Sequence, residues 1–381
     1  MSDRWIVVTT INPPTEAIRR ISSLCRQGWS AVVVGDLRSP PDWEAKGIDY
    51  LSSDRQRAEF PGLAQQVPWR HYGRKNLGYL YAIARGARVI LETDDDNLPY
   101  TEFGQDCERR IRGQLLRGPG WVNVYKRYTD VPCWPRGLPL TEIQAEGTLA
   151  VEEREFDCPV QQYLADGDPD VDAIHRLVTP SLIHFRRRSA AVVPEQGAWT
   201  PFNSQNTLFF ADAFPLLYLP CFVSFRMTDI WRSFVAQRAL WAHGLRLAFR
   251  DATVEQQRNA HDLMRDFRDE VPGYLDNARI ATALDDERPD PSRGMAETAR
   301  VLWRRLAAEK IVLPQELELF EAWLAAIRGT VDLEKERELD EPTMHGFVEM
   351  EAPPGFEPGN EGFAVPCLTN LATVPPKGPS E

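Results

Sequence analysis

Four short strand-like runs alternate with segments of helical spacing in the first hundred residues, and this alternation restricts the fold more than any other feature. Residues 5–10 read Trp-Ile-Val-Val-Thr-Thr and residues 30–34 read Ser-Ala-Val-Val-Val. Residues 48–51 read Ile-Asp-Tyr-Leu and residues 88–92 read Arg-Val-Ile-Leu-Glu. The second run is apolar without alternation, the pattern of a strand covered on both faces. Between the runs, Ala17, Ile18, Ile21 and Leu24 recur at helical spacing behind Thr15, a residue suited to an N-cap. Leu77, Leu80, Tyr81 and Ala84 do the same over residues 75–86. Strand, helix, strand, helix, strand predicts an α/β fold with a mostly parallel sheet flanked by helices. Ligands of such sheets settle beyond the carboxyl ends of the strands. Those ends carry Thr9-Thr10, Gly35-Asp36 and Asp94-Asp95-Asp96, so three strands are expected to converge on one crevice.

The rest of the chain is less periodic. Residues 119–230 are rich in Pro and Trp, which predicts mixed structure and long loops. Residues 229–270 read as helical through Ile230, Phe234, Leu240 and Trp241. Two amphipathic helices are expected over 295–309 and 314–328, separated by Pro314. Residues 351–381 hold seven prolines and no period, the composition of a disordered tail. The expected organisation is a main domain over 1–270, a helical appendage over 271–345 and a Pro-rich tail over 346–381.

Charge and cysteine content narrow the function classes. Lys and Arg number 44 against 56 Asp and Glu, a net charge of −12. That balance argues against sequence-independent nucleic-acid binding, which needs phosphate-neutralising surface. No run of 18 apolar residues occurs, so no integral membrane segment is expected. The N-terminus has no long apolar stretch of signal-peptide type. The six cysteines show no CxxC and no zinc-ligand spacing, as in thiols of a reducing compartment. A cytoplasmic location is expected.

Asp94-Asp95-Asp96 is the strongest chemical motif. Three adjacent carboxylates repel one another unless a cation or hydrogen bonds compensate. Alternate residues of an extended segment point the same way, so Asp94 and Asp96 can face one ion. Hard carboxylates suit magnesium or manganese shared with phosphates; the other reading is a solvated acidic turn. Arg74, Lys75 and Asn76 open the helix that leads to this strand, a natural anion site or else a capped surface helix. Asp36 can accept hydrogen bonds from a nucleobase or ribose, or simply end its strand. Asp166, Asp168, Asp170 and Asp172 lack the full calcium-loop pattern and read as an acceptor-facing loop or an acidic turn. Arg186-Arg187-Arg188 reads as a solvated run. His175, His184, His243 and His261 read as structural, and no GxSxG elbow occurs.

Taken together, Val7–Thr15, Val32–Asp36, Gly73–Tyr79 and Glu92–Asn97 resemble the STELLO family of glycosyltransferases. The resemblance continues through Asp166–Ile174, Pro201–Asn206 and Phe225–Arg232, and so covers roughly residues 4–270. It implies a GT-A, Rossmann-like fold and a metal-dependent hexosyl- or pentosyltransferase. Such an enzyme moves a sugar from a nucleotide-diphosphate donor to a glycan, lipid or protein acceptor. The acidic run then matches the Asp-x-Asp element, with Asp94 and Asp96 on manganese or magnesium and Asp94 and Asp95 near the donor. Asp36 matches the acid that contacts the base, and Thr9 and Thr10 sit where the first strand meets the nucleotide. Arg74 and Asn76 resemble an Arg-Asn pair near the diphosphate. Asp229 matches the base of an inverting transferase, with a helix N-cap as its other reading. The family also permits a non-catalytic sugar-nucleotide-binding scaffold, and the fold a sugar-nucleotide mutase. Plant members carry a transmembrane anchor that has no counterpart run here, so their Golgi location is not implied.

Overall fold

The apolar runs form strands because they can be covered on both faces. β1 (Arg4–Thr9), β2 (Ser30–Val34), β3 (Asp49–Leu51) and β4 (Val89–Thr93) pair in parallel in the order β3-β2-β1-β4. They belong to a computed structural model that describes residues 2–118, 120–179, 181–258 and 262–340 (backbone alone for 331–340). The Pro-rich segment 346–381 and His261 lie outside the described residues. The chain between these strands forms α1 (Glu16–Leu24), α2 (Ser53–Glu59), α3 (Pro61–Gln66) and α4 (Lys75–Ile83). Thr15 caps α1 as expected, its hydroxyl accepting from Ile18 N at 3.3 Å. α4 is buried along its whole length. Gly78 lets it approach the sheet: a Cβ there would lie 2.6 Å from Val34 and 2.7 Å from Val7.

The other half of the sheet departs from the parallel expectation. β10 (Asn206–Phe210) runs antiparallel to β4 and to β8 (Val160–Gly167). β11 (Leu247–Gln256) is parallel to β8, and the order continues through β9 (Ala191–Pro194), β6 (Arg110–Arg117) and β7 (Thr148–Asp157). The short β5 (Asn97–Pro99) pairs with the end of β11. The 11-stranded sheet is therefore mixed. Parallel neighbours need a crossover, usually a helix. Between β4 and β10 the only α-helix among the described residues is α5 (Ala173–Val178), of 6 residues.

A second correction concerns residues 229–270. The expected single helix is α6 (Thr228–Ala242), then strand β11, then α7 (Leu263–Asp285). Gly244, at φ +70, ends the helical path, and the run that follows is a central strand of the sheet. α8 (Met295–Ala308) agrees with expectation, and α9 (Pro314–Asp340) is longer than expected. These helices share the core rather than standing apart. Leu302, Trp303, Phe320 and Trp323 belong to the same buried cluster as Val7, Val32 and Leu77. The chain up to Asp340 is one compact unit. Glu316, wholly buried in the first turn of α9, accepts from Cys221 N at 3.0 Å, from Phe222 N at 2.6 Å and from the Tyr218 hydroxyl.

Candidate active site

The carboxyl ends of β1, β2 and β4 converge as the strand pattern requires. Thr9, Thr10, Asp36, Asp94, Asp95 and Asp96 line one cavity of about 530 Å³. The acidic run alternates within it. Asp94 and Asp96 are partly exposed, whereas Asp95 is buried. Asp95 is tied into the wall: its Oδ2 accepts from Thr10 Oγ1 at 2.5 Å and Asn12 Nδ2 at 3.0 Å. Its carbonyl accepts from Thr15 Oγ1 at 2.6 Å. Asp95 and Thr10 therefore serve each other, joining β4 to β1.

Asp94 is clamped from below. Its Oδ1 accepts from the Tyr72 hydroxyl at 2.7 Å and from Lys75 Nζ at 3.1 Å. Lys75 is wholly buried and also donates to Thr93 O at 2.8 Å. Burial holds the Tyr72 phenol well above its ordinary pKa, so it remains a donor. Burial, with Asp94 and Asp95 nearby, pushes the Asp96 carboxyl up to about 6. Such crowding of acids favours a cation between them. Among the described residues, no group of three or more His, Cys, Asp or Glu side chains is arranged to hold a metal. The two hard carboxylates fit magnesium or manganese where phosphate oxygens complete the coordination.

Other expected residues are placed differently. Arg74 is spent on the protein: Nε donates to Gln56 Oε1 at 2.9 Å, and Nη1 to Ala64 O at 2.9 Å and Val67 O at 2.8 Å. Asn76 is buried against Leu219, donating to its carbonyl and accepting from its N–H at 2.9 Å each. Arg74, just before α4, is in the wall of the cavity but its guanidinium donors are spent on Gln56, Ala64 and Val67, and Asn76 lies within α4, which is buried on every side so that its polar groups must find partners within the fold. Asp36 faces the cavity and holds a turn, accepting from Leu37 N at 2.5 Å and Arg70 N at 2.7 Å. Arg70 sits at φ 56, a left-handed conformation uncommon for a non-glycine residue, so Asp36 secures a strained point of the rim.

Asp229 lies in the first turn of α6 on a smaller pocket of about 90 Å³. This pocket adjoins the larger one, and both are lined by Tyr72, Asp94, Arg226 and Arg258. Asp229 is not an N-cap. Its carboxylate meets Arg136 Nη2 at 3.0 Å, and its Oδ2 accepts from Ser204 N and Oγ at 3.2 Å. Arg136 also grips Asp170 at 2.7 Å. Burial would raise the Asp170 carboxyl, but Arg136 outweighs it and holds it well below the usual range. The neighbouring acids are likewise consumed. Asp166 pairs with Arg187, Asp168 with Arg176 and Arg258, and Asp172 caps α5 through His175 N at 2.7 Å. No calcium loop forms from them.

A family model described as STELLO glycosyltransferases matches residues 226–344, a stretch that includes Arg226, Asp229 and Arg258. The chain is also similar to an Arabidopsis thaliana protein named Probable glycosyltransferase STELLO2. They are 32% identical over 281 residues, which is 67% of this chain and 36% of that protein. The chain belongs to the STELLO-like family. To Probable glycosyltransferase STELLO1 of the same plant it is 29% identical over 349 residues, 85% of this chain and 44% of that protein. It thus spans less than half the length of these STELLO relatives. No helix among the described residues is long and apolar enough to cross a membrane.

Four residues of this STELLO-like site were given no role from the sequence: Tyr72, Arg136, Ser204 and Arg258, although Ser204 lies within the Pro201–Asn206 stretch of the resemblance. Arg258 arrives through pairing, because β11 ends against β5 and Gln257 N donates to Asp96 O at 2.9 Å. Burial, with Arg176 close by, pulls the Arg258 guanidinium down to about 10.

Proposed function

We propose that this chain is a metal-dependent glycosyltransferase that takes a nucleotide-diphosphate sugar in the larger cavity and passes the sugar to an acceptor hydroxyl. One observation carries the reading: Asp94 and Asp96 meet the end of the crevice beside a smaller pocket that holds Asp229. The names of both relatives support it. Thr9 and Asp36 are suited to the nucleoside, and Arg258 to the diphosphate where the two pockets join. A divalent ion, held by Asp94 and Asp96, would stabilise charge on the departing diphosphate. Among the described residues Asp229 Oδ1 accepts from Arg136 alone, which leaves it capacity to take the acceptor proton.

The test is calorimetric binding of a nucleotide-sugar panel, with and without manganese, to the wild type and to Asp94→Ala/Asp96→Ala. Manganese-dependent binding of one donor, lost in the double variant, is expected. Absence of binding to every donor would end the transferase reading. The Arg136–Asp229 pair favours one alternative, a sugar-nucleotide-binding scaffold, since that carboxylate is already engaged by a buried guanidinium at 3.0 Å. Donor binding with neither transfer nor donor hydrolysis would favour it.

A further inference from the structure

Among the described residues lining both pockets, Phe225 alone has no polar side-chain atom, and it stands 50% exposed. That exposure is held in place by its neighbours. Ser224 Oγ donates to Asp269 O, and Arg226 Nε and Nη2 donate to Glu270 Oε1 at 3.0 and 2.9 Å. The residues on either side of Phe225 are therefore tied to α7, and its own carbonyl accepts from Thr228 Oγ1 at 2.5 Å. The ring meets His71 at 5.8 Å and Tyr72 at 6.3 Å between centroids, both nearly perpendicular. A short 3-10 turn, Phe225–Met227, runs straight into α6. One continuous segment thus carries both the ring and the Asp229 carboxylate. An aromatic face fixed at the junction of two pockets gains apolar burial only when a ligand covers it.

The chemistry of the smaller pocket narrows that ligand. Among the described residues, no aliphatic side chain lines it; beside the two rings, Phe225 and Tyr72, its wall is polar or charged. Gln205 donates to Gln256 Oε1, which also accepts from Arg258 Nη2 at 3.1 Å, so amide and guanidinium groups stand around the Phe225 ring. An alkyl chain finds no aliphatic wall here. A pyranose matches both surfaces. Its C–H face suits the electron-rich face of an aromatic ring, and its hydroxyls both donate and accept. We propose that the acceptor is a carbohydrate whose ring packs on Phe225 while its attacking hydroxyl reaches Asp229. The hydroxyl oxygen bonds the anomeric carbon of the donor as the bond to the diphosphate breaks. The diphosphate leaves with that electron pair, and the hydroxyl proton passes to Asp229. The inference rests on the donor reading above and adds the class of acceptor.

The experiment is saturation-transfer difference NMR on the full chain, with magnesium and saturating uridine or guanosine diphosphate to fill the larger cavity. The probes are methyl pyranosides and disaccharides of glucose, galactose, mannose and xylose, with a Ser/Thr-containing peptide and n-octanol as the competing classes. Saturation is expected on the ring C–H protons along one face of a saccharide. Phe225→Ala should weaken that binding by about tenfold, the scale of a lost aromatic contact, and Phe225→Trp should retain it. Diphosphate affinity, followed by calorimetry, should stay the same in both variants. Three results overturn the inference while leaving the donor reading intact: no saccharide binding to the diphosphate-loaded chain, saccharide binding unchanged in folded Phe225→Ala, or Phe225-dependent binding of the peptide or octanol instead. A drop in diphosphate affinity in Phe225→Ala assigns the ring to the donor and overturns it as well. No diphosphate binding to the wild type overturns both readings.

Discussion

At the scale of single residues, the candidate site is a problem of charge allocation. Asp96 carries the least compensated carboxyl of the acidic run, pushed up to about 6 by burial and by its two neighbours. A carboxyl whose folded pKa exceeds its unfolded value stabilises the fold while protonated. That contribution is complete below about 4 and lost as pH rises through about 6. Asp96→Asn should therefore stabilise the ligand-free protein at pH 7.5 by about 1–2 kcal/mol, allowing for its partial exposure. The gain should vanish near pH 4, as followed by thermal unfolding across pH. The same variant should lose manganese-dependent donor binding, a trade of function for stability. Asp229→Asn should leave donor affinity unchanged and lower kcat by about 10²–10⁴-fold, the range of a lost general base, measured as transfer at saturating donor. Which side chains compensate each acid was not legible in the sequence. Asp94, Asp95 and Asp96 are identical as residues, yet Thr10 and Asn12 claim one, and Lys75 and Tyr72 another.

At the scale of elements, the site depends on how α6 is fixed to β4. Glu92 and Arg232 are both buried and form two hydrogen bonds, at 2.9 and 2.7 Å. Glu92 stands two residues before Asp94, and Arg232 three residues after Asp229. One ion pair therefore sets the separation of the two chemical groups. Arg232→Met would strand a buried carboxylate and should cost about 3–5 kcal/mol, measured by denaturant unfolding. Glu92→Leu/Arg232→Leu should recover most of that loss, because an apolar replacement of a buried pair is often neutral. Elements with strong local periodicity were legible: the apolar strands β1, β2 and β4, the Thr15-capped α1, and α8. β11 was not. Its apolar positions were absorbed into a helical reading of residues 229–270, since a fully buried strand and a buried helix share composition. The mixed character of the other half was missed for a related reason. Strand direction follows from the length and path of the connections, which run through long irregular segments here.

At the scale of the whole molecule, the C-terminal helices complete the core. Trp303, Phe320 and Trp323 are almost wholly buried against the body of the fold, and Glu316 ties α9 to the 218–222 loop. A fragment ending at residue 270 would expose this surface and leave the N–H groups of Cys221 and Phe222 without Glu316. Such a fragment should show no cooperative thermal transition by circular dichroism, whereas the full chain should unfold cooperatively. The sequence by itself determined the parallel half of the sheet, the convergence of its carboxyl ends and the alternate exposure of Asp94 and Asp96. These follow from local period and chain direction. Only the tertiary structure decided that Arg74 and Asn76 brace the interior, that Lys75 lies beneath Asp94, and that Arg136 meets Asp229. The last two residues are 93 apart, and Glu92 and Arg232 are 140 apart. A buried charge must find its counter-charge wherever folding brings one within a few ångströms, and no local pattern encodes that partner.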